Sequence, residues 1–137
     1  MSLVLDAGAF IAYERGDRTV HAFLLKAAEA EDSVKTSTGV VSQVWRDGAR
    51  QVALAQLLRG VEEIALTPQR ARAIGELLRL ARSTDVVDAS LVELARDGDE
   101  ILTGDPDDLL QLANQSGKTL VITPVSTRRG RPKSRPR

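Results

Sequence analysis

Apolar residues fall in short blocks along this chain, and the period inside each block predicts its element. Residues 2–5 are a brief apolar run of buried-strand length, and 7–13 continue it as an apolar helix. Over 19–31, Val20, Phe23, Leu24, Ala27 and Ala28 recur at the spacing of an amphipathic helix. A second strand is expected at 34–37. A helix over 38–47 follows, with Val40, Val41 and Val44 inward and Gly48 ending it. Residues 50–59 predict another helix, stopped by Gly60, and 61–66 suit a third strand. Thr67-Pro68 has the N-cap and first-turn proline that open a helix, here to about residue 82. Residues 85–96 are helical and apolar nearly all round, so that helix should be buried. A fourth strand is expected at 100–103. Asp105-Pro106-Asp107-Asp108 opens a helix to about 115, and 119–123 form a last short strand. Strands separated by helices predict an α/β fold, a central parallel sheet with helices on both faces. No internal repeat is visible.

Length and charge refine this picture. The 137 residues fit one domain with a single core, expected over 1–125. There is no cysteine, which excludes disulfides and thiolate metal sites and suits a reducing compartment. No charged leader precedes the first strand, so no signal peptide is expected. Apolar runs are too short to cross a bilayer, and a cytoplasmic protein without membrane contact is expected. The formal net charge of +0 hides an asymmetry. Residues 1–125 carry 13 basic and 19 acidic groups, whereas 126–137 carry six basic groups and no acid. That Arg/Pro/Gly/Ser composition predicts a disordered basic tail that could reach phosphates.

Three aspartates then stand out by position. Asp6 directly follows Leu3-Val4-Leu5, Asp105 follows Ile101-Leu102-Thr103-Gly104, and Asp88 sits inside Val86-Val87-Asp88-Ala89-Ser90-Leu91-Val92. The first two mark the C-terminal ends of predicted strands, the edge where open parallel sheets bind ligands. Each can also be explained singly: Asp6, Asp85 and Asp105 as helix caps, Asp88 as the buried partner of an arginine or a backbone group. Asp88 resists capping because it lies a turn inside its helix, on the same face as Asp85. Three acids gathered at one edge call for a cation between them. Mg²⁺ or Mn²⁺ suits an all-oxygen site, polarises water into a nucleophile and neutralises charge on phosphate oxygens. Thr103 could hydrogen-bond a ligand or a water on the metal, or simply pack.

The segments Leu3-Val4-Leu5-Asp6, Ser83-Thr84-Asp85-Val86-Val87-Asp88-Ala89 and Leu102-Thr103-Gly104-Asp105-Pro106-Asp107-Asp108-Leu109 together resemble the three acidic motifs of PIN-domain ribonucleases. Their order and spacing are similar to those of VapC-type toxins of bacterial toxin–antitoxin pairs, over residues 1 to about 124. The resemblance implies a PIN-like three-layer sandwich and a Mg²⁺/Mn²⁺-dependent endoribonuclease. It also implies an RNA substrate, an inhibiting antitoxin protein and a homodimer. By motif, Asp6, Asp88 and Asp105 would be catalytic metal ligands, with Asp108 and Thr103 as supports. One departure is plain: where many members carry an acid, this chain has Gln43, and Asp85 could supply the missing charge. Arg46, three residues on, could meet a phosphate or form a salt bridge.

Other features point elsewhere or nowhere. Trp45 is expected in the core, and His21, the single histidine, away from the acids. No GxGxxG, P-loop or GxSxG pattern occurs. Arg129-Gly130-Arg131-Pro132 resembles the core of an AT-hook, though such strings are common in unstructured tails. Two other functions fit the same acids. One is a catalytically weak PIN-like module that binds RNA or protein. The other is a phosphoacceptor receiver-type domain, which would want a lysine after its last strand, whereas Lys118 precedes it.

Overall fold

Leu3, Val4 and Leu5 have no polar side chain between them, and they form the centre of the sheet. The computed structural model describes residues 1–126; the expected disordered tail and the AT-hook-like string lie outside the described residues. In chain order the elements are β1 (Ser2–Leu5), α1 (Ala7–Glu14), α2 (Arg18–Glu29), β2 (Ser33–Ser37), α3 (Thr38–Val44) and α4 (Val52–Leu58). Then come β3 (Glu62–Ile64), α5 (Pro68–Ala81), α6 (Val86–Leu94), β4 (Glu100–Thr103), α7 (Pro106–Ser116) and β5 (Val121–Pro124). All five strands are parallel, in the order β3-β2-β1-β4-β5.

That order positions the site. The chain starts in the middle of the sheet, builds outward through β2 and β3, and returns to build the other half through β4 and β5. The direction reverses between β1 and β4, whose register pairs Leu5 with Leu102. Crevices outside the carboxyl ends of strands at such a reversal are where open α/β sheets bind ligands. Asp6 follows β1 and Asp105 follows β4 closely, so the topology puts both at that point.

Helices cover the sheet in two sets: α1 packs with α2, α3 and α4, and α5, α6 and α7 pack together. The result is an α/β three-layer sandwich. β1 is buried along its whole length, as a parallel strand covered on both faces must be, while β3 and β5 at the edges are partly exposed. Phe10, Leu54, Leu91, Ile101, Leu102, Leu109 and Leu112 fill the core. Buried α6 agrees with its apolar sequence, although Val86 at its start is exposed.

Several boundaries differ from those expected, each for a local reason. α3 ends at Val44 instead of running to 47. The side chain of Gln51 intervenes: its Oε1 accepts from the N–H groups of Arg46 and Asp47, and its Nε2 donates to the Val44 carbonyl. Trp45 thereby leaves the helix in an extended conformation. It is 40% exposed and not in the core as expected. Its ring lies over Gly48, where an added Cβ would sit 2.7 Å from Cζ2. Arg46 neither pairs with an acid nor faces the aspartates as a free cation: its guanidinium donates to the carbonyls of Ser42 and Trp45, capping α3. The third strand shortens to Glu62–Ile64, and the last shifts to Val121–Pro124. α5 and α7 keep their predicted openings, with Thr67 accepting from the N–H of Arg70 and Pro106 in the first turn.

Candidate metal site

Each acid is delivered by a different element. The backbone N–H of Asp6 donates to the Leu102 carbonyl at 3.0 Å, which fixes the end of β1 to β4. Asp6 is 6% exposed, with Oδ1 accepting from the N–H of Ala7 at 2.7 Å and Oδ2 from the hydroxyl of Thr103 at 2.6 Å. Thr103 is fully buried and also accepts from the N–H of Asp105 at 2.9 Å. Its hydroxyl therefore joins two acids and has no proton left for a ligand. The sequence suggested a ligand contact or mere packing; the side chain does neither and acts as a bridge.

Asp88 enters from α6. Asp85 is the true cap of that helix, its Oδ1 accepting from the N–H of Asp88 at 3.0 Å. Asp88 itself is 6% exposed, and its Oδ2 is buried with no hydrogen-bond partner. Among the described residues no arginine pairs with it, which counts against one of its two ordinary explanations. Leaving such a group without a partner costs about 1–3 kcal/mol, and more for a charged one. Asp105 closes the set from the start of α7. Capping fails there as well, because its side chain makes no cap hydrogen bond.

Carboxylate oxygens of Asp88, Asp105 and Asp108 lie within 4.8 Å of one another, close enough to share a metal ion. Asp108, expected as a support, thus belongs to the closest group. Asp6 lies just outside it but near enough to act on its charge. Burial, then the charges of Asp6 and Asp85, push the Asp88 carboxyl up to about 8. Burial also raises Asp6, against the lowering effect of its bonds to Thr103 and Ala7. Asp105 is raised first by a hydrogen bond to Asp108, then by burial and by neighbouring aspartates. Among the described residues, the charged neighbours acting on these three groups are all aspartates, so negative charge is in excess there.

The remaining candidates are placed away from this cluster or at its margin. Gln43 is exposed on α3. His21 is exposed on α2 and stacks on Tyr13, with ring centroids 4.2 Å apart. Lys118 donates to the carbonyls of Val92, Glu93 and Ala95 and so caps the end of α6 opposite Asp88. Burial lowers its pKa. Sequence reasoning passed over Asp99, which is 2% exposed. Its two oxygens accept from the N–H groups of Ser2 and Arg96, at the opposite edge of the sheet. It is a saturated structural carboxylate, and nothing in the polar run Arg96-Asp97-Gly98-Asp99-Glu100 announces that it is buried.

No described helix is long and apolar enough to cross a membrane. No protein-family model matches the chain, and a search of curated proteins found no match.

Proposed function

We propose that this chain is a Mg²⁺- or Mn²⁺-dependent endoribonuclease that hydrolyses RNA phosphodiester bonds. The observation that carries the reading is the buried Oδ2 of Asp88, which lacks a partner and is surrounded by other acids. Helix capping and internal ion pairing leave it unexplained, whereas a divalent cation would satisfy it. The donor set is entirely hard oxygen, which fits Mg²⁺ or Mn²⁺ and disfavours softer metals.

Asp88, Asp105 and Asp108 would hold the ion, with Asp6 beside them and Asp85 adding charge from the helix cap. When bound, such a cation lowers the pKa of water and neutralises charge growing on phosphate oxygens. The protein's own part is positioning. Thr103 locks Asp6 and the backbone of Asp105 to one hydroxyl, and Asp85 sets the first turn of α6. His21 is stacked on Tyr13, so these acids work without a histidine base. Burial and the neighbouring aspartates push the Asp88 carboxyl up to about 8, so a cation held there would take the place of a proton.

The finer reading, a VapC-type toxin that acts as a homodimer in the cytoplasm and is restrained by an antitoxin protein, rests on the motif resemblance. A short neighbouring reading frame whose product copurifies with this chain would support it.

Asp6→Asn, Asp88→Asn and Asp105→Asn test the core proposal. Asn keeps volume and caps helices as well as Asp does, but removes ligand charge. Mn²⁺-dependent cleavage of single-stranded RNA should fall by more than about 100-fold in each, beyond the usual cost of losing a supporting group. Unchanged cleavage in all three would overturn the metal site. Gln43, neutral where the motif family often has an acid, favours one second reading: a module that binds RNA without cutting it. Wild-type protein that binds RNA but stays inert in saturating Mn²⁺ would select that reading.

A further inference from the structure

Trp45, the single tryptophan of the chain, is held firmly in an exposed place. It leaves α3 in an extended conformation. The backbone on both sides of it is fixed by the Gln51 side chain, which bonds to the N–H groups of Arg46 and Asp47 and to the carbonyl of Val44. Gly48 is the seat of the ring. A Cβ there would lie 2.7 Å from Cζ2 and 3.0 Å from Cη2, so only glycine lets the indole rest at this height. Among the described residues no other aromatic ring stacks on it. An indole already fixed on such a support loses little conformational freedom when a partner covers it.

α3 connects this ring to the acids. Its first turn packs on the first turn of α6, where a Cβ at Gly39 would lie 3.4 Å from Cγ2 of Val87, the residue before Asp88. Ser37, which caps α3, also accepts from the Ser90 hydroxyl at 2.9 Å. From Gly39 to Trp45 the chain rises about 9 Å at helical spacing. Charge along this edge is lopsided. Toward α7 it carries Asp105, Asp107 and Asp108, whereas α3 has no ionisable side chain. Arg46 and Arg50 then follow α3. The Arg46 guanidinium lies beside Trp45, with Nη1 donating to the Trp45 carbonyl at 2.7 Å, and its other two nitrogens have no partner among the described residues. The nearby acids are engaged: Asp47 accepts from the N–H of Ala49 and lies 3.8 Å from Arg50, and Glu14 accepts from Gln51. A polyanionic strand held at Asp88 would therefore be repelled toward α7 but not along α3.

We propose that Trp45 is a stacking platform for a base of single-stranded RNA, at the end of the uncharged path that α3 offers from the acids. Every base has a π-face, so such a platform fixes the strand while tolerating its sequence. Arg46 would meet the phosphate of the stacked nucleotide, because its planar fork suits phosphate oxygens. Gly48 is a positioning residue, since it sets the height of the ring. The choice of RNA rests on the nuclease reading above; the platform rests on the seat, the exposure and the charge.

The full chain carries its own probe, because its indole emission comes from one tryptophan. In EDTA, where cleavage is off, a twelve-nucleotide single-stranded RNA should quench that emission, and an oligomer of the same length without bases should not. W45L keeps apolar bulk but removes the π-face. It should weaken RNA binding about 5- to 150-fold, the range for losing one stacked base. W45F should lose less. G48A, whose Cβ displaces the ring, should lose both quenching and affinity. In Mn²⁺, W45L should raise KM for cleavage and leave kcat and the Mn²⁺ midpoint of thermal stabilisation unmoved. Equal quenching by the base-free oligomer would overturn the platform, as would equal RNA affinity in wild type and W45L. So would a blue shift of the emission that grows with protein concentration and that RNA leaves unchanged, which would mean that a second copy covers the ring. If W45L does not fold, the two oligomers decide the matter on wild type alone. If wild type never cleaves but quenching and affinities separate, the nuclease reading falls and the platform stands. If wild type cleaves and the affinities coincide, the reverse holds.

Discussion

Three aspartates, Asp6, Asp88 and Asp99, are buried among the described residues, and their partners set Asp88 apart from Asp99. Asp99 gives both oxygens to backbone N–H groups, whereas Asp88 keeps one oxygen buried and unpartnered among like charges. Thr103 shows how tightly the neighbours are held. Thr103→Val keeps shape but leaves Asp6 Oδ2 and the N–H of Asp105 without a partner, at a cost of about 1–3 kcal/mol. Mn²⁺-dependent cleavage should fall about 10–100-fold, as expected for a group that orients ligands. Thr103→Ser, which retains the hydroxyl, should restore most of it; failure of that rescue in a folded variant would mean the methyl and not the bond matters. At this scale Asp6, Asp88 and Asp105 were legible because each stands where an apolar run ends or is interrupted. The bridging role of Thr103 was not, because it depends on a partner 97 positions away in sequence.

Elements were legible wherever the period was long or the cap explicit. α5 and α7 open where a capping or acidic residue and a proline announce them, and β1 and β4 coincide with their apolar runs. Misplaced boundaries have non-local causes. Nothing between 38 and 47 announces a stop at Val44; the donor and acceptor that end α3 belong to Gln51. Lys118 gives α6 a similar remote cap, since three of its terminal carbonyls share one ammonium. Lys118→Met retains the stem and removes the donor. Carbonyls left without it should cost about 1–3 kcal/mol, read as a lower urea midpoint with little change in slope. The Mn²⁺ affinity should not move, because α6 meets the acids at its other end. A change in Mn²⁺ affinity with unchanged stability would show instead that the two ends of α6 are coupled.

For the molecule as a whole, the topology concentrates negative charge at one edge, which ties stability to pH and, on the proposed function, to metal. Asp6, Asp88 and Asp105 all have pKa values raised above 3.8, Asp6 and Asp88 first by burial and Asp105 first by its hydrogen bond to Asp108. Between the ordinary and the raised value, the folded chain keeps protons that the unfolded chain has released. Stability must therefore fall as pH rises through that window, which for Asp88 runs from 3.8 to about 8. A cation needs the ionised acids, so its binding expels protons and tightens as pH rises through the same range. Ligand binding to the folded state alone adds stability according to its affinity, so Mn²⁺ should protect more at pH 8 than at pH 5. In EDTA, the melting temperature should decline from pH 5 to pH 8, and saturating Mn²⁺ should remove most of that decline. Asp88→Asn supplies a neutral amide that can donate to the adjacent carboxylates. It should melt higher than wild type at pH 8 in EDTA, show a shallower pH dependence and gain little from Mn²⁺. Asp6 and Asp105 would leave a residual slope. A metal-free melting temperature that stays level or rises from pH 5 to pH 8 would show that the acids are already neutralised within the fold, and the case for a cation would be lost.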